Sequence, residues 1–224
     1  MFLSLLFLLY GGNTPEAMIA GDFVISTLII EKKKSLDVVQ GKFYLAEPHC
    51  LLFETSSPVH QLMKIRYDTT EIYYPEEAKL FRIVYKKGVP DENLSLTDIF
   101  NTDIEKALHD AGLRVDKFFN KGDTVFMNWS GRSPGSVTTA RVNDNLVLCR
   151  TKGKNWSLDL EMRNYRNLNG KSYPEHMRSI VKTKGFEKIE ELRLGDVKTG
   201  ITLPDVFFEN WCTIPGIVLK AVDW

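Results

Sequence analysis

The sequence holds little of what most enzyme chemistry is built from. Its four histidines, His49, His60, His109 and His176, stand far apart, and its three cysteines, Cys50, Cys149 and Cys212, show no C-x-x-C spacing. A zinc ribbon is thereby excluded, and at most one disulfide can form. No G-x-x-x-x-G-K phosphate loop, no G-x-G-x-x-G and no H-E-x-x-H occurs. The acidic pairs Glu76-Glu77 and Glu190-Glu191 read as solvated turn and strand-edge charges, so no glycosidase-like pair of facing carboxylates is expected. Neither sign of charge is in excess, with 29 Lys plus Arg against 29 Asp plus Glu. No global field recruits nucleic acid or an anionic membrane, and no nucleic-acid partner is expected. Repeats at solenoid or propeller periods are also missing. These absences predict a protein without covalent chemistry, metal or cofactor.

Long apolar runs are scarce too. The one that stands out, Met1 to Tyr10, is shorter than the roughly 20 residues a membrane span needs. Gly11-Gly12, Asn13, Pro15 and the small residues Ala17 and Ala20 follow it, a succession that resembles the hydrophobic and cleavage regions of a secretory signal. Residues 1–20 are therefore expected to be a signal peptide or apolar leader of an exported chain, and residues 21–224 a single domain.

What is present is apolar and aromatic: 43% hydrophobic residues, with 13 Phe, 8 Tyr and 4 Trp among 224. That composition folds, and the length suits one β domain. From Asp22 onward, short apolar segments alternate with turn chemistry. Phe23 to Glu31 and Val38 to Ala46 read as an opening hairpin, followed by strands at Cys50 to Glu54, Met63 to Tyr67, Glu71 to Tyr74 and Leu80 to Tyr85. Thr102 and Glu105 form a capping box, and Ile104, Ala107, Leu108 and Ala111 keep helical spacing up to Gly112, which predicts one helix over about 103–111. Strands resume at Asp123 to Trp129, Thr138 to Val142, Leu146 to Thr151, Asn155 to Arg166, Ser172 to Lys182 and Phe186 to Leu194. Asn143-Asp144, Gly153, Asn169-Gly170 and Lys184-Gly185 mark their turns.

Residues 156–163 are the most informative. Trp156, Leu158, Leu160 and Met162 alternate strictly with Ser157, Asp159, Glu161 and Arg163, giving one dry and one wet face, as in an antiparallel sheet with a solvated side. Together these readings predict a mainly β fold: one curved antiparallel sheet wrapped toward a barrel, with a small helical insertion over its open face.

The order of features over residues 41–75 is more specific. Gly41-Lys42-Phe43-Tyr44-Leu45-Ala46-Glu47-Pro48, then Phe53-Glu54, Pro58, Gln61, Tyr67-Asp68 and Tyr73-Tyr74-Pro75 resemble the LolA-type outer-membrane lipoprotein carriers and their LolB and RseB relatives. The alternating strand from Trp156, the Gly170 turn, Tyr173-Pro174 and Leu203-Pro204-Asp205-Val206-Phe207-Phe208 continue the resemblance over about residues 23–208. It implies an unclosed antiparallel barrel of about eleven strands lidded by helices, whose apolar cavity carries acyl chains through the periplasm. The lining residues it implies are Phe43, Leu45, Leu51, Phe53, Met63, Ile65, Ile72, Trp156, Leu158, Leu160 and Met162, with Ile104 and Leu108 in the lid. It implies as partners acylated lipoproteins or other lipids, an inner-membrane release complex and an outer-membrane acceptor, the carrier acting as a monomer. Carriers commonly place an Arg where Glu47 stands here, so a lid latch of that kind is not expected. An RseB-like sensing module, or an envelope structural protein of the same fold, is the alternative reading.

Overall fold

The alternation read over residues 156–163 is realised from Leu158 onward, while Trp156 at its start is exposed. In the computed structural model, which describes residues 19–46, 50–65, 69–84, 108–131, 135–168 and 170–223, the wet side of that strand is laced with ion pairs. Arg150 meets Asp159 at 2.7 Å and Arg163 meets Glu161 at 2.6 Å, while Leu160 and Met162 on the other side are buried. The described strands are β1 (Ile19–Ile30), β2 (Lys34–Ala46), β3 (Cys50–Ser57), β4 (Gln61–Ile65), β5 (Thr69–Tyr74), β6 (Lys79–Val84) and β7 (Arg114–Lys121). They continue with β8 (Thr124–Ser130), β9 (Ser136–Val142), β10 (Asn145–Lys152), β11 (Trp156–Leu168), β12 (Lys171–Thr183), β13 (Phe186–Thr199) and β14 (Val218–Asp223).

They follow one hydrogen-bonded order, β14-β6-β5-β4-β3-β2-β1-β13-β12-β11-β10-β9-β8-β7. β14 and β7 end that order, so the sheet is mainly β and open, as expected, with fourteen strands rather than about eleven. One described pairing departs from the antiparallel expectation: β14 lies parallel to β6, Leu219 opposite Leu80. β1 starts at Ile19, and Ala20 is buried in the core, so the first described strand takes in the last two residues of the expected leader. The remaining leader and Glu47 lie outside the described residues. Of the expected 103–111 helix, residues 108–110 are described and helical.

Local chemistry sets the turns. Asn143 and Asp144 both take positive φ, 48° and 63°, the pair of left-handed residues that a two-residue hairpin between β9 and β10 requires. Asp144 carries a Cβ where glycine is at ease, so Asp144→Gly is expected to raise stability by about 0.5–1 kcal/mol, read as a higher melting temperature. The bond from Arg141 Nη1 to the residue 144 carbonyl is kept in that variant.

The chain divides into two compact units. One takes in the β1–β2 turn, β7 to β12 and β13 as far as Arg193; the other holds β1 up to Val24, β2 from Val38, β3 to β6 and the chain from Leu194 onward.

Candidate functional site

In the β2–β6 unit, the register gathers the expected lining residues into two cross-strand rows. Phe43, Phe53, Met63 and Ile72 stand opposite one another across β2, β3, β4 and β5, and Phe81 of β6 extends the row. Leu45, Leu51 and Ile65 form the next, continued by Thr70 and Ile83. Positions directly opposite in register share a face, so the two rows lie on one side of the sheet, apolar but for Thr70. Phe43, Leu51, Phe53 and Ile65 are buried, Met63 and Ile72 half-buried; Leu45 keeps its register position, with its side chain outside the described set. Phe23 meets Phe53 edge-on at 5.5 Å.

The opposite face of the same strands is filled by the chain itself. Tyr44, Leu52, Leu62, Tyr73 and Leu80 pack against Leu203, Phe207 and Trp211 of the segment after β13. That strap turns through two short 3-10 helices, Asp205–Phe207 and Trp211–Thr213, the second capped by the Asn210 side chain. Lys64, buried on this face, places Nζ 3.8 Å from the Trp211 ring centre and donates to the Glu209 carbonyl at 2.7 Å. Glu71, beside it in register, pairs with Arg82 at 3.1 Å. Reading the sequence gave Leu203 to Phe208 only as a closing motif and missed Trp211; the signal was an aromatic pair, Phe207 and Trp211, four residues apart between Pro204 and Pro215.

In the β7–β13 unit, Leu158, Leu160 and Met162 share a face with Val181, Ser179 and Met177 of β12, and with Thr151 and Cys149 of β10. Burial pushes the Cys149 thiol up to about 12, against a weaker opposing bond from Thr151, so it stays a packing group. Trp156 starts the strand and is 46% exposed, set apart from the buried Leu160 and Met162. Leu108 is fully buried; Ile104 lies outside the described residues.

The expectation that Glu190 is solvated is overturned. Register with Ser179 puts it on the same face as Leu160, where it is 3% exposed and ion-paired to Lys188. Burial raises its pKa, and Lys188 and Ser179 oppose that rise. A carboxyl whose folded pKa lies above its unfolded value favours the folded state most when protonated. This contribution to stability is therefore lost as pH rises from the unfolded value, near 4.5, through the folded one. Urea unfolding from pH 4 to 8 is expected to show wild type losing stability relative to Glu190→Gln across that interval. Glu76 and Glu77 are exposed, as expected.

Two grooves open elsewhere. One of about 330 Å³ is lined by Asp22, Phe23, Gly41, Lys42, Glu54 and Ser56; another of about 480 Å³ by Phe126, Ala140, Leu148, Glu161, Arg163 and Tyr165, with Met162 the one expected lining residue there. Gly131 to Gly135 spell the letters of a G-x-S-x-G nucleophile motif. They join β8 to β9, an antiparallel strand pair, whereas the motif's chemistry needs a strand-to-helix turn. Among the described residues, no three His, Cys, Asp or Glu side chains gather as a metal site, and no helix is long and apolar enough to cross a membrane.

No family model matches the chain, and no curated protein does. Solved structures do. A LolA superfamily protein from Nitrosomonas europaea superposes with a TM-score of 0.51 over 93% of this chain and 97% of its own, at 12% identity. A DUF1329 family protein from Desulfovibrio piger gives a TM-score of 0.56 over 94% of this chain and 96% of its own, at 14% identity. Carried across nearly the full length of both partners at so low an identity, the likeness is one of architecture: the chain has a LolA-like fold.

Proposed function

We propose that this protein is a periplasmic lipid carrier, which shields acyl chains on the apolar face of its open sheet and delivers lipoproteins toward the outer membrane. The observation that carries the reading is the asymmetry of the β2–β6 unit. Its own strap packs one face, while the other gathers two rows, from Phe43 to Phe81 and from Leu45 to Ile83, apolar but for Thr70, with Met63, Ile72, Phe81 and Ile83 half-buried. Leu158, Leu160 and Met162 supply a like surface in the β7–β13 unit.

Burying acyl chain is worth about 0.8 kcal/mol per methylene, so a palmitoyl-sized chain exposed to water costs on the order of 12 kcal/mol. Passage through an aqueous compartment therefore needs a cover. In the β2–β6 unit the half-buried Met63 and Ile72 are where a chain first makes contact, and the flexible thioether of Met63 suits chains of varied shape. The partners of this reading are acylated lipoproteins, an inner-membrane release complex and an outer-membrane acceptor. Its test is titration of the full chain with a fluorescent fatty acid. Saturable binding displaced by palmitate supports it, and absence of binding to well-folded protein contradicts it.

A further inference from the structure

The neutral total charge conceals a local asymmetry. Three turns of the β7–β13 unit reach the same end of the sheet. Ser136 of β9 stands opposite Lys152 of β10, which stands opposite Ser157 of β11; Trp156 stands opposite Thr183 of β12, and Thr183 opposite Phe186 of β13. The β10–β11 and β12–β13 turns therefore lie side by side. β1 neighbours β13 and runs against it, because Gly21 at the start of β1 lies close to the Gly195 carbonyl near the end of β13. The β1–β2 turn projects from that same end.

These turns carry Lys32, Lys33, Lys34, Lys152, Lys154, Lys182 and Lys184, all exposed, against the carboxylates of Glu31, Asp37 and Glu187. Glu187 is already paired with Lys182 at 3.0 Å. Arg114 and Asp110, which also reach this end, offset each other in charge. Two large apolar side chains stand among the lysines: Leu36, 64% exposed, and Trp156, 46% exposed. The Trp156 indole lies over the β10–β11 turn, so close to Gly153 that any side chain there would run into the ring. Lysines clustered at one end, with an amphipathic indole and a leucine at the same level, match the chemistry of an anionic bilayer surface. Ammonium groups meet lipid phosphates there while the apolar groups enter the interface.

We propose that this end of the sheet docks end-on to membranes rich in anionic lipid. The proposal does not depend on acyl-chain binding, since the turns are exposed whatever the sheet holds. It is tested by flotation of the full chain with vesicles of phosphatidylcholine alone or mixed with phosphatidylglycerol. Expected is binding to the anionic vesicles alone, weakened as salt shortens the screening length. The triple variant Lys32→Glu, Lys33→Glu, Lys34→Glu is expected to bind about a hundred-fold more weakly. Lys121→Glu, Arg166→Glu and Lys198→Glu together change the total charge equally at the other ends of β7, β11 and β13, and are expected to keep most binding. Trp156→Ala should weaken binding without altering its dependence on lipid charge. Equal binding to both vesicle types, no binding to either, or equal loss in the two triple variants would overturn the proposal. Fatty-acid titration of the first triple variant separates the two functions: it is expected to match wild type, and loss of acyl binding in wild type itself would sink the carrier reading while leaving this one standing.

Discussion

Replacing Trp211 by alanine is expected to destabilise the protein by about 3–5 kcal/mol, the range for emptying a buried large aromatic site. The side chain is wholly buried, its ring centre 5.6 Å from that of Tyr73 and 6.3 Å from that of Phe207, and its Nε1 donates to the Val206 carbonyl at 2.9 Å. It also lies under the Lys64 ammonium, so alanine removes the face that helps hold a buried charge. Phe208, next to Phe207 but 70% exposed, is the control, and Phe208→Ala is expected to cost less than about 0.5 kcal/mol. Urea unfolding followed by far-ultraviolet circular dichroism, which does not depend on the lost indole, gives both values. Similar values for the two variants would mean that the strap does not hold its face of the sheet.

The second large effect concerns binding. Leu160→Glu is expected to weaken fatty-acid affinity at least about ten-fold, because it sets a charge among Cys149, Ser179 and the side chains that would meet the chain. Asp159→Lys, one residue away, points to the other face, where Asp159 pairs with Arg150 at 2.7 Å, and is expected to change affinity less than about two-fold. Leu160 is deeply buried, so Leu158→Asn, on the same face but half-buried, provides a gentler form of the same change. Equal effects on the two faces in folded protein would remove the apolar side of β11 from the site.

What could be read in advance was whatever local chemistry decides. Alternation over 156–163 fixed both faces of β11, and Asn143-Asp144 marked a turn because few other residues accept positive φ. β7 went unread because it has no dry side: all eight of its residues are exposed at the edge of the sheet, and Phe118 and Phe119 sit among charges. The rest depends on distant partners. In residues 186–194, Phe186, Leu192 and Leu194 fall on one face, but Lys188 and Glu190 interrupt them and Ile189 falls on the other, so the pairing with β12 is what shows Glu190 turned inward and Ile189 toward Ile180. The strap is aperiodic, and its anchor at Trp211 takes meaning only from Tyr73 and Lys64, well over a hundred residues away in sequence. The apolar rows of β2 to β5 were legible as residues, but their common face comes from register, which the sequence shows only through its turns.

Mass spectrometry of the protein purified without detergent exchange from its native envelope tests the central claim most directly. The account predicts acylated peptides or lipids released in stoichiometric amount on denaturation, and their loss in Leu158→Asn. Protein that emerges folded, free of acyl species and unable to take up palmitate would contradict it.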